Sequence, residues 1–331
     1  MPHVFLTGVT GFIAKRIALD LLNAGHTVTG SLRSATRADE VREAVRPHLS
    51  DASALERLTF TELDLNKDDG WTDAMQGCDV LMHTASPFPL SSPKDEADVI
   101  RPAVDGTLRA LNAAQNAGFN RVILTSSVVA IEANDLPNPQ TPANWTDLTH
   151  PRATPYYKSK TLAEQAAWDF VKQHPEMQLT TIHPSLVLGT PLDAHYGTSL
   201  SLMERIMAGK DPLMPPFGFG IVDVEDVSAM HIAAMDRPES AGNRYIASGG
   251  SMMMAAISTH LKSVYPDRKL ATRQAPAWLM KVLALFDPSI RMIVPQLGHM
   301  PEFDTSASIR DLGITFTPAK AALERAAAAV A

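Results

Sequence analysis

Residues 155–170 read PYYKSKTLAEQAAWDF and place two adjacent tyrosines shortly before a lysine that could act with either of them. Successive helix residues are rotated by about 100°, so side chains three or four positions apart share a face. Lys160 is four residues from Tyr156 and three from Tyr157, and this spacing alone leaves both tyrosines open as its partner. An ammonium one turn from a phenol favours the phenolate and brings the tyrosine pKa closer to the range of an acid–base catalyst.

The apolar side of this predicted helix favours Tyr156. When Lys160 is taken as the reference, Tyr156 lies within about 80° of it, whereas Tyr157 lies on the flank with Glu164 and Trp168. An apolar stripe must pack on a sheet, so Tyr156 and Lys160 are predicted to enter the interior cleft together. The alternative is a core tyrosine beside a lysine whose stem lies along apolar surface, which is common for such a pair taken alone. The stripe consists of Tyr156, Ala163, Ala167, Phe170 and Val171.

A glycine-rich turn, TGVTGFIA (7–14), lies between the predicted strand HVFLT (3–7) and a helix predicted from Gly11 to about residue 24. Gly8 permits a tight turn, and Gly11 lets the backbone approach a pyrophosphate at the positive end of the helix dipole. The turn predicts a dinucleotide site, with a plain strand–helix turn as the alternative. Its candidate cofactor-binding residues are Thr7, Gly8, Thr10, Gly11, Phe12 and Ile13.

The segment GSLRSATR (30–37) bears on the choice of cofactor. It carries Arg33 and Arg37 but no acidic residue, and the first carboxylate after it is that of Asp39. Guanidinium forks suit a 2′-phosphate, so NADP(H) is favoured over NAD(H); two solvated surface arginines are the alternative. Asp64, at the end of the third predicted strand, could bond the adenine amine.

Short β-rich runs alternate with amphipathic stretches through the first 189 residues. This alternation predicts an α/β chain with a doubly wound parallel sheet, the Rossmann architecture. A long helix from about Pro93 to Ala117 precedes the fifth predicted strand. The predicted strands are HVFLT (3–7), TVTGSL (27–32), LTFTELD (58–64), DVLMHTA (79–85), RVILTSS (121–127) and LTTIHPSLVLG (179–189).

After Gly189, Pro, Met, Gly and Phe become frequent and the strand–helix rhythm weakens. We expect a smaller, mixed C-terminal lobe over the carboxyl edge of the sheet, with a return to the sheet near residues 221–235 and a final helix in ALERAAAAVA. The predicted division assigns 1–189 and 221–248 to the dinucleotide-binding domain, and 190–220 and 249–331 to the substrate-binding lobe.

Several motifs occur together in one order along nearly the whole chain. They are TGVTGFIA, Arg33 with Arg37, Asp64–Leu65, HTASPF (83–88), LTSSVVA (124–130), YYKSKTLAEQAAW (156–168), HPSLVLG (183–189), VDVEDVSAMH (222–231) and DTSASIRDLG (304–313). In these motifs the sequence resembles the extended short-chain dehydrogenases/reductases, in the branch of dihydroflavonol 4-reductases, cinnamoyl-CoA reductases and related aldehyde/ketone reductases. Ala14 departs from the third glycine that is common in the family, and no catalytic role is carried onto Asp105.

The resemblance implies a role for each residue of a triad. Ser127 would hold the substrate carbonyl oxygen, and Tyr156 would be the general acid during reduction. Lys160 would lower the pKa of Tyr156 and bond the nicotinamide ribose. NADPH would deliver hydride to an aldehyde or ketone. Further cofactor contacts implied by the resemblance are Asp64, Leu65, Thr84, Ala85, Ser86, Pro184, Val187 and Ser199.

Apolar residues of the second lobe predict a pocket for an apolar or aromatic carbonyl substrate, although an ordinary core between lobes would have the same composition. The substrate-binding candidates, besides Ser127 and Tyr156, are Phe88, Leu192, Tyr196, Met207 and Phe217.

Three other functions are weighed against the reductase. A sugar-nucleotide epimerase or dehydratase would share the fold, but Ser126, Ser127 and Val128 follow Thr125 where dehydratases of the family carry Asp-Glu. A hydroxysteroid-type dehydrogenase would run the same triad in reverse with NAD(P)⁺. A non-catalytic dinucleotide sensor would typically lose the Tyr-x-x-x-Lys pair, which is present here.

The composition bears on partners and compartment. A net charge of −7 disfavours binding to nucleic acid. The single cysteine, Cys78, indicates a reducing compartment, and MPHVFLTG has no signal-peptide pattern. The apolar run at 275–286 is too short to span a bilayer. We therefore expect a cytoplasmic monomer or homodimer with no membrane partner.

The eleven histidines give no sign of a metal site, because no two are three to five residues apart and no Cys-x-x-Cys accompanies them. His183 and His195 could touch the substrate, but a structural role is favoured for each.

Overall fold

The computed structural model describes residues 1–86 and 95–331, with the side chains of 288 and 289 not described. The doubly wound sheet predicted from the sequence is confirmed: seven parallel strands pair in the order β3-β2-β1-β4-β5-β6-β9. The strand order reverses between β1 and β4, and ligands bind at such a switch point in open α/β sheets. The strands are β1 His3–Thr7, β2 Thr27–Leu32, β3 Leu58–Glu62, β4 Val80–His83, β5 Arg121–Thr125, β6 Gln178–Pro184, β7 Leu186–Leu188, β8 Gly218–Asp223, β9 Arg244–Ala247 and β10 Ser251–Met253.

Helices cover both faces of the large sheet. On one face α1 packs with α7 around Ile17, Leu21 and Met230. On the other face α4 packs with α5, where alanines such as Ala110 and Ala167 allow the two helices to approach closely. The helices are α1 Phe12–Asn23, α2 Ala38–Val45, α3 Trp71–Ala74, α4 Ala97–Asn116, α5 Pro155–Gln173, α6 Gly197–Met207, α7 Val224–Asp236, α8 Met254–Val264, α9 Ala277–Leu283, α10 Pro288–Ile293, α11 Ser306–Leu312 and α12 Ala319–Val330.

A second sheet of three strands, in the order β10-β8-β7, belongs to the smaller lobe. The single strand predicted at 179–189 is wrong: it breaks at Ser185, so β6 lies in the large sheet and β7 in the small one. The predicted return to the large sheet near residue 221 is wrong for β8, which pairs with β7 and β10. The return is made by α7, which packs on the large sheet, and by β9. Apolar strands of similar composition fit either sheet, and only their remote partners decide between them.

The smaller lobe has its own apolar core. The predicted C-terminal helix is present as α12, and its Ala322 and Leu323 are fully buried against α6 and α8. Among residues 1–86 and 95–331, no helix combines the length and the apolarity that a bilayer crossing requires.

Candidate active site

The glycine turn between β1 and α1 is built for close approach. Gly8 has a φ of +67°, and a Cβ there would lie 2.9 Å from the Cβ of Ala85, so a side chain does not fit. Gly11 directly precedes α1 and has no side chain to cap the first N–H groups of that helix. Free N–H groups at the positive end of a twelve-residue helix suit a phosphate oxygen. The turn therefore fits a dinucleotide pyrophosphate.

Thr7 supports the turn from beneath. It is fully buried, and its hydroxyl oxygen accepts hydrogen bonds from the backbone N–H groups of Thr84 and Ala85, each at 3.0 Å. The same hydroxyl lies 2.9 Å from Nδ1 of His83. Thr7 thus fixes the exit of β4 beside β1, and its contact with a cofactor stays a prediction.

A cavity that we call the arginine cavity begins at the turn. Arg33 and Arg37 both line it, as does Leu65. The carboxylate of Asp64 instead accepts hydrogen bonds from the backbone and side-chain amides of Asn66, at 2.9 and 3.2 Å, so its adenine contact stays a prediction. The cavity is lined by Gly8, Thr10, Gly11, Ser31, Leu32, Arg33, Arg37, Leu63, Leu65, Trp71, Thr84, Ala85 and Ser86.

The turn also opens into a second cavity, which we call the central cavity. It carries most of the residues predicted to bind the cofactor along the sheet edge. Its walls are Gly8, Gly11, Phe12, Ile13, Ala14, Thr84, Ser86, Thr125, Ser126, Ser127, Tyr156, Lys160, Pro184, Ser185, Val187, Tyr196, Gly197, Thr198 and Ser199.

A third cavity, the side pocket, lies between the large sheet and the smaller lobe. It shares Ser127, Tyr156 and Ser199 with the central cavity. The three cavities therefore form one line, with the predicted acid and its serine at the second junction. The side pocket is lined by Ser127, Val128, Val129, Glu132, Tyr156, Tyr157, Ser185, Leu186, Thr198, Ser199, Leu202, Phe217, Gly218, Phe219, Gly220, Gln296, His299 and Pro301.

Tyr156 and Ser127 meet at that junction. β5 ends at Thr125, so Ser127 lies in the loop beyond it, and its hydroxyl is near enough to the Tyr156 phenol to act on the pKa of that group. Tyr156 is in the first turn of α5, whose preceding residue Thr154 accepts a hydrogen bond from the backbone of Tyr157 at 3.5 Å. Lys160, one turn further along α5, lines the central cavity with Tyr156.

Burial dominates the protonation of both α5 groups. It raises the pKa of Tyr156 to about 12, and the hydrogen bond from Ser127 opposes this only in part. It lowers the pKa of Lys160 to about 8, against the pull of the Glu164 carboxylate. The expected lowering of the Tyr156 pKa is therefore not what the structure shows, because desolvation of the phenolate sets the direction of the shift. Tyr156 holds its proton at neutral pH.

Glu164 anchors α5 through a buried ion network. Its side chain is 1% exposed and lies 2.7 Å from Nε2 of His183 and 2.7 Å from Nε of Arg244. Burial alone would raise the pKa of Glu164, but His183 and Arg244 hold it well below the usual range. Ser126 donates to the same carboxylate at 2.7 Å, so the residue beside Ser127 is tied to α5. Further donors are Thr181 and Trp168.

The helical pattern did not reveal this network, since it placed Glu164 on the flank of α5. His183 is fully buried in the network, in keeping with the structural role favoured from the sequence. The partners of Glu164 lie on β6 and β9, and Arg244 is 80 residues away. The sequence offered one signal for this network, which was the carboxylate of Glu164 within the helix that carries the apolar stripe.

A second buried carboxyl lies in the side pocket. Tyr157 donates to Glu132 at 2.6 Å, and burial raises the pKa of Glu132 to about 7 against the opposing effects of Tyr157 and Arg152. Gln296 and His299 also line this pocket. None of these polar groups was among the predicted substrate contacts, and Gln296 and His299 come from a segment far along the chain from Ser127 and Tyr156.

The predicted substrate residues separate into different places. Phe217 lines the side pocket. Tyr196 lines the central cavity, and its phenol donates a hydrogen bond to the carboxylate of Glu204. Leu192 packs against the core of the large sheet. Met207 is 2% exposed in the core of the smaller lobe, which leaves little surface for a substrate. Phe88 lies outside the described residues.

A doubly wound sheet with a glycine turn at its switch point is the architecture of dinucleotide-binding enzymes. The chain belongs to the NAD dependent epimerase/dehydratase family, whose model matches residues 4–248. The resemblance predicted from the motifs is confirmed by the comparison with known proteins.

Relatives and solved structures are consistent with this family. The chain is 32% identical over 281 residues to cinnamoyl-CoA reductase CAD2 of Medicago truncatula, covering 82% of this chain and 83% of the relative. It is 32% identical over 280 residues to tetraketide alpha-pyrone reductase 1 of Arabidopsis thaliana, with coverage of 82% and 83%. The yeast methylglyoxal/isovaleraldehyde reductase Gre2, solved with NADPH, superposes with a TM-score of 0.81 at 26% identity, covering 99% of this chain and 98% of that one.

Proposed function

We propose that this chain is an NADPH-dependent reductase that acts on the carbonyl of an apolar or aromatic aldehyde or ketone. The observation that carries the proposal is the position of Ser127 and Tyr156, which both line the central cavity and the side pocket and therefore lie where the two cavities meet. The similarity to proteins described as cinnamoyl-CoA, tetraketide alpha-pyrone and methylglyoxal/isovaleraldehyde reductases supports the same reaction class.

The described residues fit NADPH along the line of cavities. The turn at Gly8 and the start of α1 would hold the pyrophosphate. Arg33 and Arg37 would hold the 2′-phosphate in the arginine cavity. Lys160 would bond the nicotinamide ribose in the central cavity. Other residues proposed near the nicotinamide are Pro184, Val187 and Ser199.

NADPH, when bound, supplies the hydride. The chain's own residues handle the oxygen and the proton. The hydroxyls of Ser127 and Tyr156 bind the carbonyl oxygen and stabilise the negative charge that develops on it. The phenol of Tyr156 then donates its proton, which its raised pKa keeps in place until the oxygen becomes a strong base. The ammonium of Lys160 stabilises the phenolate that remains.

The apolar character of the side pocket supports the proposed substrate class. Phe217 and Phe219 form an edge-to-face pair with ring centroids 5.1 Å apart, and both line the pocket with Leu202. Such a wall suits an aromatic or branched aliphatic body. The carbonyl of that body would face Ser127 and Tyr156.

One assay tests the proposal. Loss of reduced nicotinamide absorbance is followed with NADPH and with NADH, over a panel of aromatic aldehydes, branched aliphatic aldehydes, diketones and polar sugars. We expect turnover of apolar carbonyl compounds, with NADPH giving the higher kcat/KM. Turnover of no carbonyl compound with either cofactor would contradict the reductase, and a preference for NADH would contradict the assignment of Arg33 and Arg37.

We further propose a cytoplasmic location and a monomeric or homodimeric state. The only cysteine of the chain, Cys78, is buried, and burial raises its thiol pKa to about 11, which agrees with a protein that uses no disulfide. Light scattering after size exclusion would test the assembly, and a mass above two chains would contradict it.

A further inference from the structure

A buried lysine joins three segments around the proposed cofactor site. Lys15 lies in the first turn of α1, next to Ala14, which lines the central cavity. Its side chain is 2% exposed, and its ammonium donates to Glu40 of α2 at 2.7 Å and to Asp193 in the segment between β7 and α6. A buried ammonium is costly unless it is paired, so both carboxylates stabilise it.

These contacts extend into a chain of charges. Glu40 also accepts two hydrogen bonds from the guanidinium of Arg37, at 2.8 and 2.9 Å. Arg37 lines the arginine cavity. Asp193 comes shortly before residues 196–199, which form a wall of the central cavity. The ion pairs thus connect the arginine cavity with a wall of the central cavity through Lys15.

The arrangement is an ion-pair network and not a metal site. The ligand atoms of Glu40, Asp193 and His195 lie within 4.8 Å of one another, which by itself would suit a cation. The Lys15 ammonium is bonded to two of these three groups and supplies the positive charge there.

Residues 196–199 and the start of α1 line the same cavity. Gly11, Phe12 and Ile13 belong to the start of α1, and Tyr196 and Ser199 to the other segment. A dinucleotide in the central cavity would contact both. Leaving it would require the two walls to separate, or the molecule to pass along the line of cavities. A bond between the walls opposes their separation.

We propose that the ion pair between Lys15 and Asp193 is a clasp that fastens the segment 190–199 to α1 and sets how long the dinucleotide stays bound. The inference rests on the proposed function, since it requires a dinucleotide in the central cavity. Asp193 and Lys15 are positioning residues in this role, because they act through the wall and not on the reacting atoms. The clasp acts on NADPH and NADH alike, since it does not read the 2′-phosphate.

Two substitutions open the clasp without orphaning a buried charge. In Asp193→Asn the ammonium of Lys15 keeps Glu40 as its partner. In Lys15→Met the buried stem is replaced by an apolar side chain, Glu40 keeps Arg37, and Asp193 retains 19% exposure to water. Asp39→Asn is the matched control: it makes the same charge change on α2, but its side chain is 86% exposed and bonds only Arg42 among the described contacts.

The experiment measures dissociation directly. Each variant is loaded with NADPH or NADH, mixed rapidly with excess oxidised cofactor, and followed by nicotinamide fluorescence; unfolding temperatures are recorded without cofactor. We expect koff to rise about tenfold for both dinucleotides in Asp193→Asn and in Lys15→Met, because breaking a buried charge pair acts mainly on dissociation. In the double variant koff should rise no further than in the single variants, since both substitutions remove the same ion pair. Asp39→Asn should match the wild type.

The outcomes separate the clasp from the proposed function. A wild-type chain that binds neither dinucleotide would overturn both. A wild-type chain that binds NADPH, with koff unchanged in both clasp variants, would overturn the clasp alone. An increase for NADPH but not for NADH would also overturn it, because the effect would then pass through Arg37 and the 2′-phosphate.

Discussion

The two halves of the candidate active site are constructed differently. Ser127, Tyr156 and Lys160 come from the end of β5 and from α5, and Glu164 ties these elements to β6 and β9 with buried charges. The side pocket also takes apolar side chains from the smaller lobe, such as Phe217 and Phe219. The first half is fixed by directional bonds, and the second by packing. We therefore expect changes in the first half to affect all substrates, and changes in the second to affect only the choice among them.

The largest effect is expected at Lys160. In Lys160→Met the phenolate of Tyr156 loses its ammonium, and kcat should fall by about 100-fold or more for every substrate of the panel. Lys158→Met is the control on the same helix, because Lys158 pairs with Glu96 at the surface. Steady-state rates compare the two variants. A loss limited to bulky substrates would break the distinction between the halves.

The next effect is on folding. Glu164→Gln leaves His183 and Arg244 without their buried carboxylate, and we expect the free energy of unfolding to fall by about 3 kcal/mol. Glu96→Gln removes an exposed pair and should cost less than about 1 kcal/mol. Urea denaturation measures both. Equal losses in the two variants would show that the network does not anchor α5.

Sequence patterns predicted the first half better than the second. The parallel sheet was predicted from local alternation, although its last strand, β9, was not. The choice of Tyr156 as the partner of Lys160 rested on the apolar stripe of the helix, because spacing alone left both tyrosines open. The bonds of Glu164 were not predicted, since Arg244 is 80 residues away. The break at Ser185 depends on pairing with β8 of the other sheet. Pocket residues such as His299 come from irregular segments in which no periodicity marks the buried side.

The pH dependence distinguishes Lys160 from Tyr156. Below about pH 8 Lys160 is charged, and in the proposed mechanism its ammonium stabilises the phenolate; above that pH the ammonium is lost, while Tyr156, with a pKa of about 12, stays protonated. We expect kcat/KM for reduction to fall as pH rises through about 8. Glu164 raises the pKa of Lys160, so Glu164→Gln should move this limb to lower pH. A fall of kcat/KM at the same pH in Glu164→Gln and wild type would contradict the effect of Glu164 on the pKa of Lys160.

The smallest effect is expected in the side pocket. Phe219→Ala enlarges the side pocket, which Ser127 also lines, so the ratio of kcat/KM between an aromatic and a small aliphatic aldehyde should change by about tenfold. Phe286→Ala, at a side chain 82% exposed in the same lobe, is the control. An equal fall in kcat/KM for both aldehydes would contradict the view that the side pocket affects only the choice of substrate.

The most direct measurement compares wild type with Tyr156→Phe in single-turnover reduction of an aromatic aldehyde by bound NADPH, with NADPH Kd determined on the same samples. Removal of the phenolic hydroxyl takes away both the proton and one of the two bonds to the carbonyl oxygen. We predict a rate at least about 100-fold lower with a Kd changed by less than about threefold. A Tyr156→Phe variant that reduces the aldehyde at the wild-type rate would contradict the account.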